Sequence, residues 1–204
     1  MQAAKLATTD HPIHKLIAER WSPYAFAEKP VPLTELQPLF EAARWAPSSY
    51  NEQPWRYIVA TKEEPTEFER LLGCLVEGNQ AWARNAPVLA LGCTSLKFAL
   101  NGKPNAAAIH DLGIASATLT FEATSRGLHV HQMIGILPDK VRSTYEIPDD
   151  FQPLTGLAIG YATPADMLPD KLRERDLAPR TRKPLREFVF AKEWGRAFSP
   201  IAST

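Results

Sequence analysis

Pro47-Ser48-Ser49-Tyr50-Asn51-Glu52-Gln53-Pro54-Trp55 joins two stretches of different periodicity. Before it, Leu36, Leu39, Phe40 and Ala43 recur at helical spacing. After it, Trp55-Arg56-Tyr57-Ile58-Val59-Ala60 reads as a strand. Two prolines restrain the backbone, and the polar side chains of Ser48, Ser49, Asn51 and Gln53 offer more donors and acceptors than a turn needs. Such a loop suits a flat polar ligand that must be held in one orientation.

Working outward, a helix is expected from Thr34 to Trp45, with Thr34 as its cap and Gln37 completing a capping box, which keeps Pro38 in the first turn. A shorter helix is expected from Asp10-His11-Pro12 to Glu19, capped by Asp10. Beyond the strand, Pro65 to Leu75 and Asn79 to Arg84 read as helices, and Pro87 to Cys93 as a buried strand. Residues 94–104 carry the turn signal Asn101-Gly102-Lys103-Pro104 and read as a loop. The longest helix is expected over Ala106–Ser125, with Gly113, Ala115, Ser116 and Ala117 permitting close helix contact and Gly127 ending it. His129–Leu137 and Leu154–Tyr161 read as strands with a helix, Asp139–Tyr145, between them. A polar arm, 163–184, precedes a strand-like run, Glu187–Phe190. Strands and helices interleave irregularly, which excludes all-α and all-β architectures and leaves α/β or α+β.

The chain has 204 residues, enough for one domain with a core of its own over 1–204, of which 1–10 is expected to be a flexible N-terminus. Its 23 basic and 23 acidic residues balance, so nucleic acid and anionic membrane are not expected partners. Cys74 and Cys93 each lie in an apolar segment, which favours buried reduced thiols and a reducing cytosol. No stretch approaches the roughly 20 apolar residues of a membrane span, and the expected location is cytoplasmic.

Two basic motifs flank the loop in sequence. Arg20-Trp21-Ser22-Pro23-Tyr24-Ala25-Phe26 lies upstream and Arg180-Thr181-Arg182-Lys183-Pro184 downstream. Each sets guanidinium groups beside a hydroxyl, the chemistry that grips phosphate. Arg180 and Arg182 are two apart, so an extended segment projects both to one face. Read singly, Arg20 could merely complete a helix C-terminus and the downstream pair a solvated face.

Taken in order, the three motifs resemble the nitroreductase family of flavin mononucleotide (FMN) enzymes over residues from about 12 to about 195. The pattern is Arg-x-Ser-x-x-x-Phe, then Pro-Ser-Ser-x-Asn-x-Gln-Pro-Trp, then a late Arg/Lys-x-Arg. The resemblance implies an α+β fold in α/β/α layers, a central mixed sheet flanked by helices, and a C-terminal strand exchanged within a homodimer with FMN at the interface. It implies that Arg20, Trp21, Ser22, Arg180 and Arg182 hold the phosphate and ribityl end. Pro47, Ser48, Ser49, Asn51 and Gln53 would approach the flavin from the partner subunit, and Asn79 would meet the pyrimidine edge. Backbone N–H groups at Ile134-Gly135 would face N5 and O4, with Asp111 near the ribityl chain. Lys97 and Phe98 in the 94–104 loop are candidate lid residues.

One departure from the family pattern is visible. Tyr24 and Trp82 stand where many relatives place lysines near N1 and O2, and Arg84 is a candidate substitute. His129 and His131 alternate on a strand but lack the carboxylate or cysteine partners of a zinc site, and no metal is expected. The implied activity is reduction of nitroaromatics, quinones or related small acceptors by NADH or NADPH in ping-pong order. A flavin carrier or sensor without turnover, a dehalogenase or flavin-destroying relative, and a flavin-free homodimeric interaction protein are the alternatives.

Overall fold

Val88–Ser95 (β2) has apolar side chains on both faces, the mark of a strand sandwiched between two layers. In the computed structural model, which describes residues 5–201, it pairs with Trp55–Thr61 (β1) on one side and Phe151–Gly160 (β4) on the other. His129–Met133 (β3) closes the sheet in the order β1-β2-β4-β3, with β1 and β3 at its edges. All three pairings are antiparallel, so within one chain the sheet is antiparallel rather than mixed as expected.

The two faces of the sheet are covered by different helices. Val88, Ala90, Leu157 and Ile159 pack against Leu33–Arg44 (α2) and Ala108–Ser125 (α5). Leu89, Leu91 and Ala158 face the other way, against Pro65–Leu72 (α3), Glu77–Ala83 (α4) and Pro138–Tyr145 (α6). The expected three layers form because β2 and β4 bury alternate side chains in two separate cores. Gly127 adopts φ +71° just past the Arg126 cap of α5, as its place after the helix required.

Several boundaries differ from expectation. α2 starts at Leu33 behind Pro32, with no side-chain cap, so Thr34 and Gln37 form no capping box and Pro38 sits inside the helix. The first helix, α1, covers only Lys15–Glu19, and its cap is His14, whose Nδ1 accepts from the Leu16 amide at 3.2 Å; Asp10 lies too far upstream. Of the expected flexible stretch 1–10, residues 1–4 lie outside the described region. Lys5, however, is buried, and its Nζ donates to the Ala178 carbonyl at 2.7 Å.

The expected polar arm contains a helix, Asp170–Leu177 (α7), which has no apolar periodicity to announce it. Its anchor is polar: Asp176 is buried and accepts the Tyr24 amide at 2.6 Å. Glu187–Phe190 forms no strand; Leu185–Glu187 is a 3₁₀ turn, and Phe190 bridges only Ala197 in a local hairpin. A strand exists only against a neighbouring ladder, and here the run meets none of β1–β4. Among the described residues, Cys74 and Cys93 are buried free thiols, and no helix is long and apolar enough to cross a membrane.

Candidate functional site

Three guanidiniums from the two ends of the chain come together beside the C-terminus of α1. Arg20 caps that helix and donates Nη1 to Ser22 Oγ at 3.2 Å. Arg180 donates its own Nη1 to the carbonyls of Ala18, at 2.6 Å, and Lys5, at 3.0 Å. Burial, then Arg180, then Arg182 push the Arg20 pKa below its ordinary value, and burial with Arg182 does the same to Arg180. Among the described residues none of the three forms an ion pair. Arg180 Nε is buried without an acceptor. Repelling cations kept together with no ion-pair partner among the described residues suit an anion. The sequence-predicted convergence of Arg20, Ser22, Arg180 and Arg182 is present.

From this cluster an aromatic strip runs along the edge strand β3. Trp21 meets the His129 ring edge-on at 5.5 Å, and Tyr24 meets His131 at 4.7 Å. Trp82 is fully buried and packs against His131 at 4.4 Å and Tyr24 at 5.1 Å. Burial first, and Arg20 second, hold His129 down at about 4. His131 is lowered chiefly by burial, although its Nδ1 lies 2.9 Å from the Pro23 carbonyl. Both imidazoles are therefore neutral near pH 7, and among the described residues no group of three ligand-type side chains gathers around a metal position. Arg84 does not join the strip; it is exposed beside Lys62, Pro65 and Phe68.

The strip ends at Gly135, six residues or about 20 Å from His129 on extended chain. The Gly135 carbonyl accepts from the Val76 amide at 3.1 Å and from Asn79 Nδ2 at 2.9 Å. A Cβ at position 135 would stand 2.3 Å from Asn79 Nδ2, so only glycine lets the carboxamide approach. The Gly135 amide has no acceptor among the described residues. Ile134 beside it is exposed. A cation cluster at one end and an unclaimed N–H beside a carboxamide at the other fit an elongated ligand with a phosphate and a flat polar ring.

The Pro47–Gln53 loop lies elsewhere. It packs at the N-terminal end of α5, where the buried Asp111 accepts the Ser49 amide at 3.1 Å. Asp111 thus holds the loop. Ser48 Oγ accepts the Gln53 amide at 3.0 Å, and Gln53 Nε2 donates to the Asn51 carbonyl at 3.0 Å, so Ser48 and Gln53 tie the loop internally. Tyr50, Asn51 and Gln53 all take positive φ, at 52°, 56° and 52°. Each such residue costs about 1–2 kcal/mol relative to ordinary backbone, a strain that accumulates where loops serve a ligand. Phe98 meets Tyr50 edge-on at 5.8 Å, while Lys97 is exposed and its backbone bridges Pro104.

One chain does not bring the loop to the arginines. Trp21 and His129 line a cavity of about 360 Å³ with Thr124 and Gly127, at the C-terminal end of α5. Asp111 and Ser125 are fourteen residues apart on that helix, about 21 Å. The loop also leads into β1 while the arginines lie by β3, the opposite edge. Lys5, Asp176 and Glu52, whose Oε1 accepts the Ala99 amide at 2.7 Å, are supports outside the expected site residues. Only Glu52, inside the polar loop, carried a signal.

The nitroreductase family model matches residues 17–161. A solved oxidoreductase containing FMN is 36% identical, with a TM-score of 0.88 over 95% of this chain and 98% of that one. An FMN reductase [NAD(P)H] from Bacillus subtilis is 31% identical over 177 residues, covering 78% of this chain and 68% of the relative. A nitroreductase family protein from Clostridium difficile 630 shares 25% identity, with a TM-score of 0.65 over 87% of this chain and 96% of its own.

Proposed function

Because the chain belongs to the nitroreductase family, we propose that it is an FMN-dependent oxidoreductase, working as a homodimer, that uses NADH or NADPH to reduce small acceptors such as nitroaromatics and quinones. The observation that carries this reading is the uncompensated cluster of Arg20, Arg180 and Arg182. A phosphate there would accept charge-assisted hydrogen bonds from groups already desolvated and oriented. The buried, unpartnered Nε of Arg180 is a donor waiting for such an acceptor.

Ser22 would lie within reach of the same anion, and Trp21 with His129 would form an aromatic wall for the chain leading away from it. At the far end, the Gly135 N–H and the Asn79 carboxamide are the groups able to meet the polar edge of a flat ring. Bound FMN supplies the two-electron carrier that links donor to acceptor. Tyr24, Trp82 and neutral His131 would line the ring without positive charge, so this wall would lend little support to added negative charge there.

The separation of the two half-sites along α5 supports the dimer in this reading. A second copy related by a two-fold axis would bring its Pro47–Gln53 loop to this chain's arginine strip, and the reverse. The exposed Phe188, Trp194 and Phe198 of the arm and Ile109 on α5 are apolar surfaces that such a partner would cover. The exchange of the 187–190 run with that partner belongs to the same reading. Donor and acceptor would occupy the one remaining face in turn, which is a ping-pong order.

Protein loaded with FMN and freed of excess should retain one flavin per chain and lose its visible absorbance on anaerobic mixing with NADH or NADPH. Added quinone should restore it. Colourless protein would contradict the reading, and a bound flavin that never bleaches would identify a carrier.

A further inference from the structure

Tyr50 is 92% exposed on a loop whose neighbours are otherwise tied down. Ser48, Ser49, Asn51 and Gln53 are each engaged in hydrogen bonds within the loop or to Asp111. Tyr50 takes φ 52°, ψ 23°, a conformation that turns its side chain out of the loop. Its hydroxyl bonds to nothing among the described residues. The ring meets the ring of Phe98 at an interplanar angle of 87°, an edge-to-face contact that leaves a broad aromatic face open.

The 95–104 loop that carries Phe98 is itself fastened to the ligand loop. Glu52 Oε1 accepts the Ala99 amide at 2.7 Å. The Phe98 amide bonds the Lys103 carbonyl at 2.9 Å, and Lys97 bridges Pro104. Tyr50 and Phe98 therefore form one braced aromatic wall built from two loops.

We infer that Tyr50 is a specificity-determining residue whose ring is a stacking platform for planar, electron-poor aromatic acceptors, held in place by Phe98 and Glu52. A phenol ring is electron-rich on its face, and an aromatic ring bearing nitro or carbonyl groups is electron-poor, so the two attract when stacked. A saturated ring of the same size gains no such attraction. The inference rests on the reading above, in which this loop stands over the partner subunit's cofactor.

Calorimetric titration of the FMN-loaded dimer with 4-nitrobenzoate and with cyclohexanecarboxylate tests it in wild type, Tyr50→Ala, Tyr50→Phe and Phe98→Ala, with flavin content and mass measured alongside. Tyr50→Ala should weaken 4-nitrobenzoate about 10-fold while leaving cyclohexanecarboxylate unchanged, and Tyr50→Phe should stay within about 3-fold of wild type. Phe98→Ala should fall between them. Equal weakening of both ligands, no weakening of either, or loss of flavin or of the dimer in Tyr50→Ala would overturn the Tyr50 assignment alone. Wild-type protein that takes up no FMN would instead overturn the reading beneath it.

Discussion

Arg180 Nη1 donates to the carbonyl oxygen of Ala18 at 2.6 Å, across 162 positions of sequence. The bond ties the C-terminal arm to the end of α1 and sets Arg180 beside Arg20. It also separates two roles that a charge count would merge. Arg180 is a strut as well as a proposed ligand donor, whereas Arg182, among the described residues, bonds its neighbour's carbonyl alone, at 2.7 Å.

Arg180→Ala should destabilise the flavin-free protein by about 1–3 kcal/mol, because the Ala18 and Lys5 carbonyls lose a charged donor. Arg182→Ala should leave flavin-free stability unchanged or slightly raised, since it removes a like charge from Arg20. Both should weaken FMN. Thermal melts of the flavin-free variants, compared with FMN titrations, check the split; equal melting losses would contradict it.

Lys5→Met should cost about 1–2 kcal/mol by removing the donor to Ala178 and the cation lying 5.0 Å over the Trp21 ring. Denaturant titration measures it. A variant as stable as wild type would show that the N-terminal segment is not anchored.

Gly135→Ala should displace Asn79, whose Nδ2 lies 2.3 Å from the added Cβ position, and shift the visible spectrum of bound flavin. Asn79→Gly in the same chain should restore stability without restoring the spectrum. Additive losses in the double variant would contradict a direct clash.

Acid should destabilise the fold through His129. Its folded value, about 4, lies below the usual 6.5, so the unfolded chain binds the proton first and stability falls as pH drops from 6.5 towards 4. The full loss is about 3 kcal/mol, and buried His131 adds to it in the same direction. Urea midpoints measured across that range should fall less steeply for His129→Gln. Parallel pH profiles would contradict the assignment.

How much of this was legible in the sequence depends on which force set each element. The apolar run at Val88–Cys93, the helical pattern of α5 and the Gly127 stop carry their own signals and fall where expected, to within a few residues. α7 was hidden because Asp170–Leu177 is almost entirely charged and its anchor is Asp176, whose partner is a backbone amide 152 positions away. Nothing local marks such a residue. Lys5 was hidden for the same reason, since its acceptor lies 173 positions on. The Glu187–Phe190 run reads as a strand locally, but a ladder is a property of two segments, and among the described residues of one chain its bridge is a local hairpin to Ala197. In the site, the arginine motifs were readable as phosphate chemistry. That the serine loop stands at the far end of α5 from them was not, because distance along a helix appears only once the helix is placed.

The central claim is that arginines from both ends of the chain grip a phosphoryl group, and comparing FMN with riboflavin tests it most directly. Equilibrium titration of flavin-free wild type should give FMN an affinity at least about 100-fold above riboflavin, with the gap collapsing to within about 10-fold in the Arg20→Ala, Arg182→Ala double variant. Riboflavin bound as tightly as FMN, or an FMN preference that survives in that variant, would contradict the account.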